Sequence, residues 1–209
     1  GPMTTADTLA DEFYRDRKTL ATELAKVLND EALELAEAGA SIVQFDEPCF
    51  NIYLDDVERW GIATLEAAAK GVRAKTAVHI CYGYGTPAVL RWKTANTDWS
   101  HYARTLPLLR SSAIDMISVE CAASGVDVAV LGEAMGKDLM VGVIDVGSEQ
   151  VETPDVVAAR IRAAMKYVAP DRLYPSTDCG MIPRSRQAAS GKMRALASGA
   201  AIVRAEVSA

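Results

Sequence analysis

The stretch Lys75-Thr76-Ala77-Val78-His79-Ile80-Cys81, closed by Tyr82-Gly83-Tyr84-Gly85, decides how the rest of the chain is read. A short, mostly apolar run ending in a glycine-rich turn predicts a buried strand. Residues 54–72 before it and 98–111 after it carry helical character, so the strand sits between two helices. The same alternation continues outward. Residues 15–39 have helical periodicity, with Leu20, Leu24, Val27, Leu28, Leu33 and Leu35 among the apolar positions, and lead into Ser41-Ile42-Val43-Gln44-Phe45. That run ends at Asp46-Glu47-Pro48. Downstream, Ile114 to Glu120, Asp138 to Val146 and Arg172 to Thr177 read as further strands. A short helix follows Glu120. Another helix opens at Thr153-Pro154-Asp155, with Thr as N-cap and Pro in the first turn, and a last one covers residues 184–203.

Five strands, each with a helix, is the pattern of parallel βα units. Their near-continuous apolar character predicts a parallel sheet covered on both faces. The polar and reactive residues fall just after strand C-termini: Asp46, Glu47, His79, Cys81, Glu120, Asp145, Asp178 and Cys179. A (β/α)8 barrel builds its active site at that end of its strands, and so does an open doubly wound sheet. No glycine-rich phosphate loop follows the first strand, which speaks against the open fold.

The chain has 209 residues, half of them hydrophobic, enough for a sizeable core in one domain spanning 1–209. A formal net charge of −6 argues against nucleic acid or an acidic membrane surface as the main partner. The cysteines at 49, 81, 121 and 179 are too sparse for a disulfide scaffold and fit a reducing compartment. With no charged-then-apolar leader and no apolar run long enough for a bilayer, the expectation is a soluble cytoplasmic protein with no membrane partner.

His79 and Cys81 are two apart on a strand, so their side chains point the same way. An imidazole and a thiolate side by side suit zinc, a borderline-soft ion. Taken singly, a buried cysteine is usually a small hydrophobe. Glu120 ends the apolar run Met116-Ile117-Ser118-Val119, where a carboxylate is costly unless it binds metal or forms a salt bridge. Cys179 lies just past a strand in Thr177-Asp178-Cys179-Gly180. His79, Cys81, Glu120 and Cys179 together would make a tetrahedral zinc site. Cys121 would point away from Glu120 on a continuing strand, Cys49 fits a core or supporting role, and His101 reads as a solvated side chain.

Val43-Gln44-Phe45-Asp46-Glu47-Pro48, His79-Ile80-Cys81-Tyr82, Ile117-Ser118-Val119-Glu120 and Asp178-Cys179-Gly180 together resemble the C-terminal barrel of cobalamin-independent methionine synthase. The motifs stand in the family's order and cover nearly the whole chain. The resemblance implies a (β/α)8 TIM-barrel fold of which this chain supplies about the last five βα units. It implies zinc on His79, Cys81, Glu120 and Cys179, and a methyltransferase that activates the homocysteine thiol and methylates it to methionine. Asp46 and Glu47 fall where the family contacts substrate, Asp46 matching the residue that binds the homocysteine ammonium group. Asp145 is the Asp of the next-to-last strand's catalytic segment. There the family carries a histidine that this chain lacks, since Ile144-Asp145-Val146-Gly147-Ser148 has Gly147 instead. That departure makes methylcobalamin, or another methylated corrinoid, an alternative to methyl-tetrahydrofolate as donor. Other readings keep the zinc but give it another thiol, of the coenzyme M type, or make the fragment non-catalytic.

Gly1-Pro2-Met3-Thr4 resembles the family's Gly-Pro-x-Thr motif at the end of an earlier strand; the competing reading of Gly1-Pro2 is a remnant of tag cleavage. If the motif is native, the chain starts mid-barrel with about three strands outside it. Unpaired sheet edges then predict a companion chain, a homodimer with exchanged strands, or a half-barrel.

Overall fold

The computed structural model describes residues 1–84, 91, 93–96 and 98–208; Gly85, read as part of the turn closing the second strand, lies outside them. Among the described residues, five strands form one sheet in chain order: β1 (Ile42–Asp46), β2 (Lys75–Ile80), β3 (Met116–Val119), β4 (Asp138–Ile144) and β5 (Leu173–Thr177). The five predicted strands are these five, with ends shifted by a residue or two. The β1–β2 and β4–β5 pairs are parallel. The chain divides into two compact units, Gly1–Ile80 with His101–Ile117, and Cys81–Ser100 with Ser118–Ala209.

In the first unit, α1 (Pro2–Thr8) and α2 (Arg17–Glu37) precede β1. Asp16 caps α2, its carboxylate accepting the Thr19 amide at 3.0 Å. The helical stretch expected over 54–72 is broken into a turn at Leu54–Asp56, a π turn at Val57–Gly61 and α3 (Ile62–Ala69). After β2 and the intervening segment comes α4 (His101–Ser111). From Thr76 onward β2 is buried, and its start is pinned by Asp115, whose carboxylate accepts both the amide and the hydroxyl of Thr76 at 2.8 Å. Its end is pinned by the fully buried Tyr102, whose hydroxyl donates to the Ile80 carbonyl at 2.8 Å. These two anchors hold the strand that delivers His79.

The expectation of strands covered on both faces fails at β1. Val43 and Phe45 are buried while Ile42, Gln44 and Asp46 are exposed, the period-two pattern of a strand packed on one face only. Gln44 and Asp46 share that open face and satisfy each other, Nε2 donating to Oδ1 at 2.8 Å.

In the second unit, β4 is buried at Leu139, Val141, Val143 and Ile144, and its ladder with β5 shifts register between Gly142 and Ile144. β5 again departs from the two-sided expectation, with Tyr174 exposed. The short helix read after Glu120 is a 3-10 helix at Val128–Ala134. Thr153 caps α5 (Pro154–Ala164) as its sequence indicated, accepting the Val156 amide. Ser185 caps α6 (Arg186–Val207) in the same manner. The two helices pack where Gly199 meets Val157, an approach so close that a Cβ on Gly199 would lie 2.6 Å from that of Val157.

Candidate metal centre

His79 rides on β2, Cys81 follows it by two residues, and Cys179 lies two residues past β5. The metal-capable atoms of these three lie within 4.8 Å of one another, and the two sulfurs are 3.8 Å apart. Three of the four residues read as ligands are thus brought together. The Cys179 thiol alongside and burial push the Cys81 thiol far above its ordinary range. A buried and a half-buried thiol this close resist ionising together unless a cation compensates them, so the pair suits one. Soft sulfurs with an imidazole fit zinc.

Glu120 is not a member of that group. Its carboxylate is fully buried; Oε1 is ion-paired with Lys93 Nζ and Oε2 accepts the Tyr82 amide at 3.0 Å. Burial pushes this carboxyl up, and Lys93 acts against that push. A salt bridge is one of the two ways a carboxylate can be tolerated at this strand end, and Glu120 makes one with Lys93.

Lys93 also stands 3.5 Å from the centroid of the Tyr84 ring, and the Tyr84 hydroxyl donates to Asp178 Oδ2 at 3.1 Å. Asp178 is fully buried and accepts the backbone amides of Cys121, Ala122 and Ala123 at 3.0, 2.9 and 2.7 Å. Burial and the charge of Glu120 push its carboxyl up to about 7, against the pull of the amides. Gly142 makes room for it, since a Cβ there would fall 2.1 Å from Asp178 Oδ1 and 2.9 Å from its Cα. The residue before Cys179 is therefore fixed from three sides.

The remaining candidates have distinct settings. Asp46 is exposed at the end of β1. Glu47 is fully buried, its carboxylate accepting the amides of Met3 and Thr4 at 2.9 and 2.8 Å. Asp145 accepts the Gly147 amide at 2.6 Å, and its own amide donates to Glu152 at 2.8 Å. Cys49 is buried beside Asp7, its thiol pushed up to about 11 by burial. Cys121 is half-buried, its thiol raised by burial. His101 opens α4 and is half-buried rather than fully solvated.

Sequence reading missed Lys93 and Glu152. Nothing near Lys93 in the chain announces its role, because its partner is 27 residues away. The available signal was charge accounting: a carboxylate closing an apolar strand requires a cation, and Lys93 is one of four basic residues between His79 and Glu120.

Parallel βα units that end in an imidazole and two thiols define an α/β chain with a metal-capable centre at its strand ends. The chain belongs to the family of the cobalamin-independent synthase catalytic domain, whose model matches residues 1–201. It is 34% identical to a methionine synthase of Saccharolobus islandicus over 209 residues and 32% identical to one of Sulfurisphaera tokodaii over 207. Each match covers 99% of this chain but 58% and 56% of the relative, so the chain spans little more than half their length. The structure of a B12-independent methionine synthase from Shewanella sp. W3-18-1, in complex with selenomethionine, superposes with TM-score 0.96 at 51% identity. It covers 99% of this chain and 61% of that one. A structure from Listeria monocytogenes at 16% identity, TM-score 0.61, shares the fold over 92% of this chain and 57% of that one. The fold is accordingly α/β of the TIM-barrel type, as the strand pattern and motifs indicated. Among the described residues no helix is long and apolar enough to cross a membrane.

Proposed function

We propose that residues 1–209 form the C-terminal catalytic part of a zinc-dependent methyltransferase that methylates the homocysteine thiol to give methionine. The observation that carries this reading is the His79, Cys81 and Cys179 group, within a chain of this family. Those three residues would hold the zinc, and Glu120, on leaving Lys93, would be the fourth donor. Zinc bound there acts as a Lewis acid that lowers the pKa of a substrate thiol towards neutrality.

The chain's own residues do the rest. Asp46, exposed and placed beside His79 in the β1–β2 register, takes the substrate ammonium group. Glu47 acts one step back, holding the Met3 and Thr4 amides and so the backbone next to Asp46. Asp145 belongs to the side of the methyl donor, its loop fixed by Glu152 and by its own bond to Gly147. In the transfer the sulfur forms a bond to the methyl carbon as the donor's bond to that carbon breaks, and orientation lowers the barrier. With Gly147 in place of a histidine, nothing at that position protonates a folate leaving group. The reading therefore favours methylcobalamin or another corrinoid over methyl-tetrahydrofolate. Further substrate contacts come from whatever supplies the remaining strands: more of the same polypeptide, a companion chain or a homodimer partner.

The test is an assay of zinc-loaded protein with homocysteine, offering methylcobalamin and methyl-tetrahydrofolate separately. Methionine from the corrinoid alone is expected. Methionine from the folate alone would overturn the donor assignment, and no change in zinc–sulfur coordination when homocysteine is added, read by X-ray absorption, would overturn the catalytic reading.

A further inference from the structure

The end of β4 is held by side chains as well as by its neighbour strand. Gly142 pairs with Ser176 and Ile144 with Thr177, so Val143 is one residue too many for the ladder. A bulge of this kind re-aims the side chains around it and leaves backbone groups to be satisfied elsewhere. Here the Val143 carbonyl accepts Arg160 Nη1 from α5 at 2.8 Å, and the Ile144 carbonyl accepts the Asp178 amide at 3.0 Å. The Asp145 amide donates to Glu152 Oε1 at 2.8 Å. Asp145 Oδ1 is in turn held by the Gly147 amide at 2.6 Å, so backbone and side chain of this residue are both fixed. Glu152 is buried, and its other oxygen takes the ammonium of the fully buried Lys192 at 3.0 Å. Lys192 also donates to the Gln150 carbonyl. Its helix comes this close because Gly191 has no side chain: a Cβ there would lie 2.8 Å from Val151 Cγ2.

A buried ion pair often contributes no more stability than apolar residues of the same volume. What apolar residues could not do here is accept the Asp145 amide. A buried carboxylate in turn needs a cation to stay where it is, and Lys192 is that cation. We propose that Glu152 and Lys192 are positioning residues for the methyl-donor side of the site. Glu152 sets the backbone from which the Asp145 carboxylate projects, and Lys192 holds Glu152 to that task. Arg160 secures the other side of the bulge through the Val143 carbonyl. All three act through Asp145. The inference rests on the assignment of Asp145 to the donor side made above, and adds what aims it.

Two double variants isolate the effect, because each removes both buried charges together. Lys192→Met with Glu152→Gln keeps an oxygen for the Asp145 amide; Lys192→Met with Glu152→Leu does not. Each is compared with the wild-type chain by hydrogen exchange at the Asp145 amide, by zinc affinity, and by steady-state kinetics. The kinetics use homocysteine and whichever donor the wild type accepts, methylcobalamin or methyl-tetrahydrofolate. Without the oxygen, the Asp145 amide exchanges at least about tenfold faster. The kcat/KM for the donor falls about tenfold to a hundredfold, the cost of misplacing a group by about 1 Å. Zinc affinity and the KM for homocysteine stay at their wild-type values. With the oxygen kept, exchange and donor kinetics stay close to wild type, even if both double variants melt at the same temperature. Arg160→Met strands no buried charge and covers the case in which the variant lacking the oxygen does not fold; it shifts exchange and donor kinetics in the same direction. Wild-type exchange at Asp145 without the oxygen would overturn the inference. So would donor kinetics that are equally impaired in the two double variants. A wild-type chain that methylates homocysteine with neither donor would sink the methyltransferase reading instead, and the exchange measurement, which needs no activity, would still decide whether Glu152 holds Asp145.

Discussion

At the scale of single residues, the centre depends on positions that bind nothing. Gly142 is one, because its missing Cβ is the space that Asp178 occupies. The clash created by Gly142→Ala involves the Asp178 Cα as well as its side chain, so no change of rotamer relieves it. Overpacking of this kind costs about 1–3 kcal/mol. The displaced backbone carries Cys179 with it, so zinc affinity should fall at least about tenfold. Chelator competition together with thermal melts checks this; a folded Gly142→Ala chain with unchanged zinc affinity would show that Asp178 does not position Cys179. The same scale shows what was legible. His79-Ile80-Cys81 announces itself because strand geometry turns a spacing of two into a shared direction. Asp178 was noticed as a residue at a strand end, but its three amide donors come from Cys121 to Ala123, more than fifty residues earlier. Local pattern has no access to such contacts. Glu120 closes an apolar run and so needs a partner, and that Lys93 supplies one is visible only in tertiary structure.

At the scale of elements, helix starts and buried strands were the most readable because their causes are local: a Thr-Pro cap for α5, an apolar run for β2. The exposed faces of β1 and β5 were not, since coverage depends on neighbours that the strand's own residues do not name. The α5–α6 contact gives two tests. Alanine normally improves a helix interior over glycine by about 1 kcal/mol. At Gly199 the new Cβ would sit 2.6 Å from Val157 Cβ and 2.8 Å from the Pro154 carbonyl, atoms that cannot swing away. The clash outweighs the propensity, and Gly199→Ala should lower stability by about 1–3 kcal/mol in denaturant unfolding. A stabilised variant would mean the helices separate at little cost. The second test concerns Lys192 on α6, fully buried, whose ammonium donates to the Gln150 carbonyl and to Glu152 at 3.0 Å. Removing one partner of such a pair costs about 3–5 kcal/mol, so Lys192→Met should be the more damaging change. Burial alone pushes the Glu152 carboxyl up, but bonds from Lys192 and the Asp145 amide outweigh it and hold the group below its ordinary 4.5. A lowered carboxyl contributes stability that is present above pH 4.5 and is lost as pH falls through the folded value. Melting curves of wild type and Glu152→Gln should therefore differ at neutral pH and converge in acid. A gap that widens in acid would contradict the assignment.

At the scale of the whole molecule, composition confined the class and left the chemistry open. A net charge of −6 argued against nucleic acid and said nothing of a metal, for which the candidate ligands are a handful of the 209 residues. Those few side chains nevertheless carry a global consequence. A ligand that binds the folded chain and not the unfolded one stabilises it by roughly 4 kcal/mol when free ligand stands about a thousandfold above its Kd. For a chain of this size each kcal/mol moves the melting temperature by about 2–4 °C. Saturating zinc should accordingly raise the melting temperature of the wild-type chain by roughly 8–16 °C, and a strong chelator should reverse the shift. Cys179→Ser and Cys81→Ser remove a thiolate from the group of three, so zinc should leave their melting temperatures nearly unchanged. Cys121→Ser is the control: its thiol lies outside that group, and the zinc shift should persist in full. If all three serine variants kept the shift, zinc would be binding elsewhere on the chain. If only Cys121→Ser lost it, the metal centre would have to be rebuilt around Cys121, and the pairing of Cys81 with Cys179 would be no more than a packing contact.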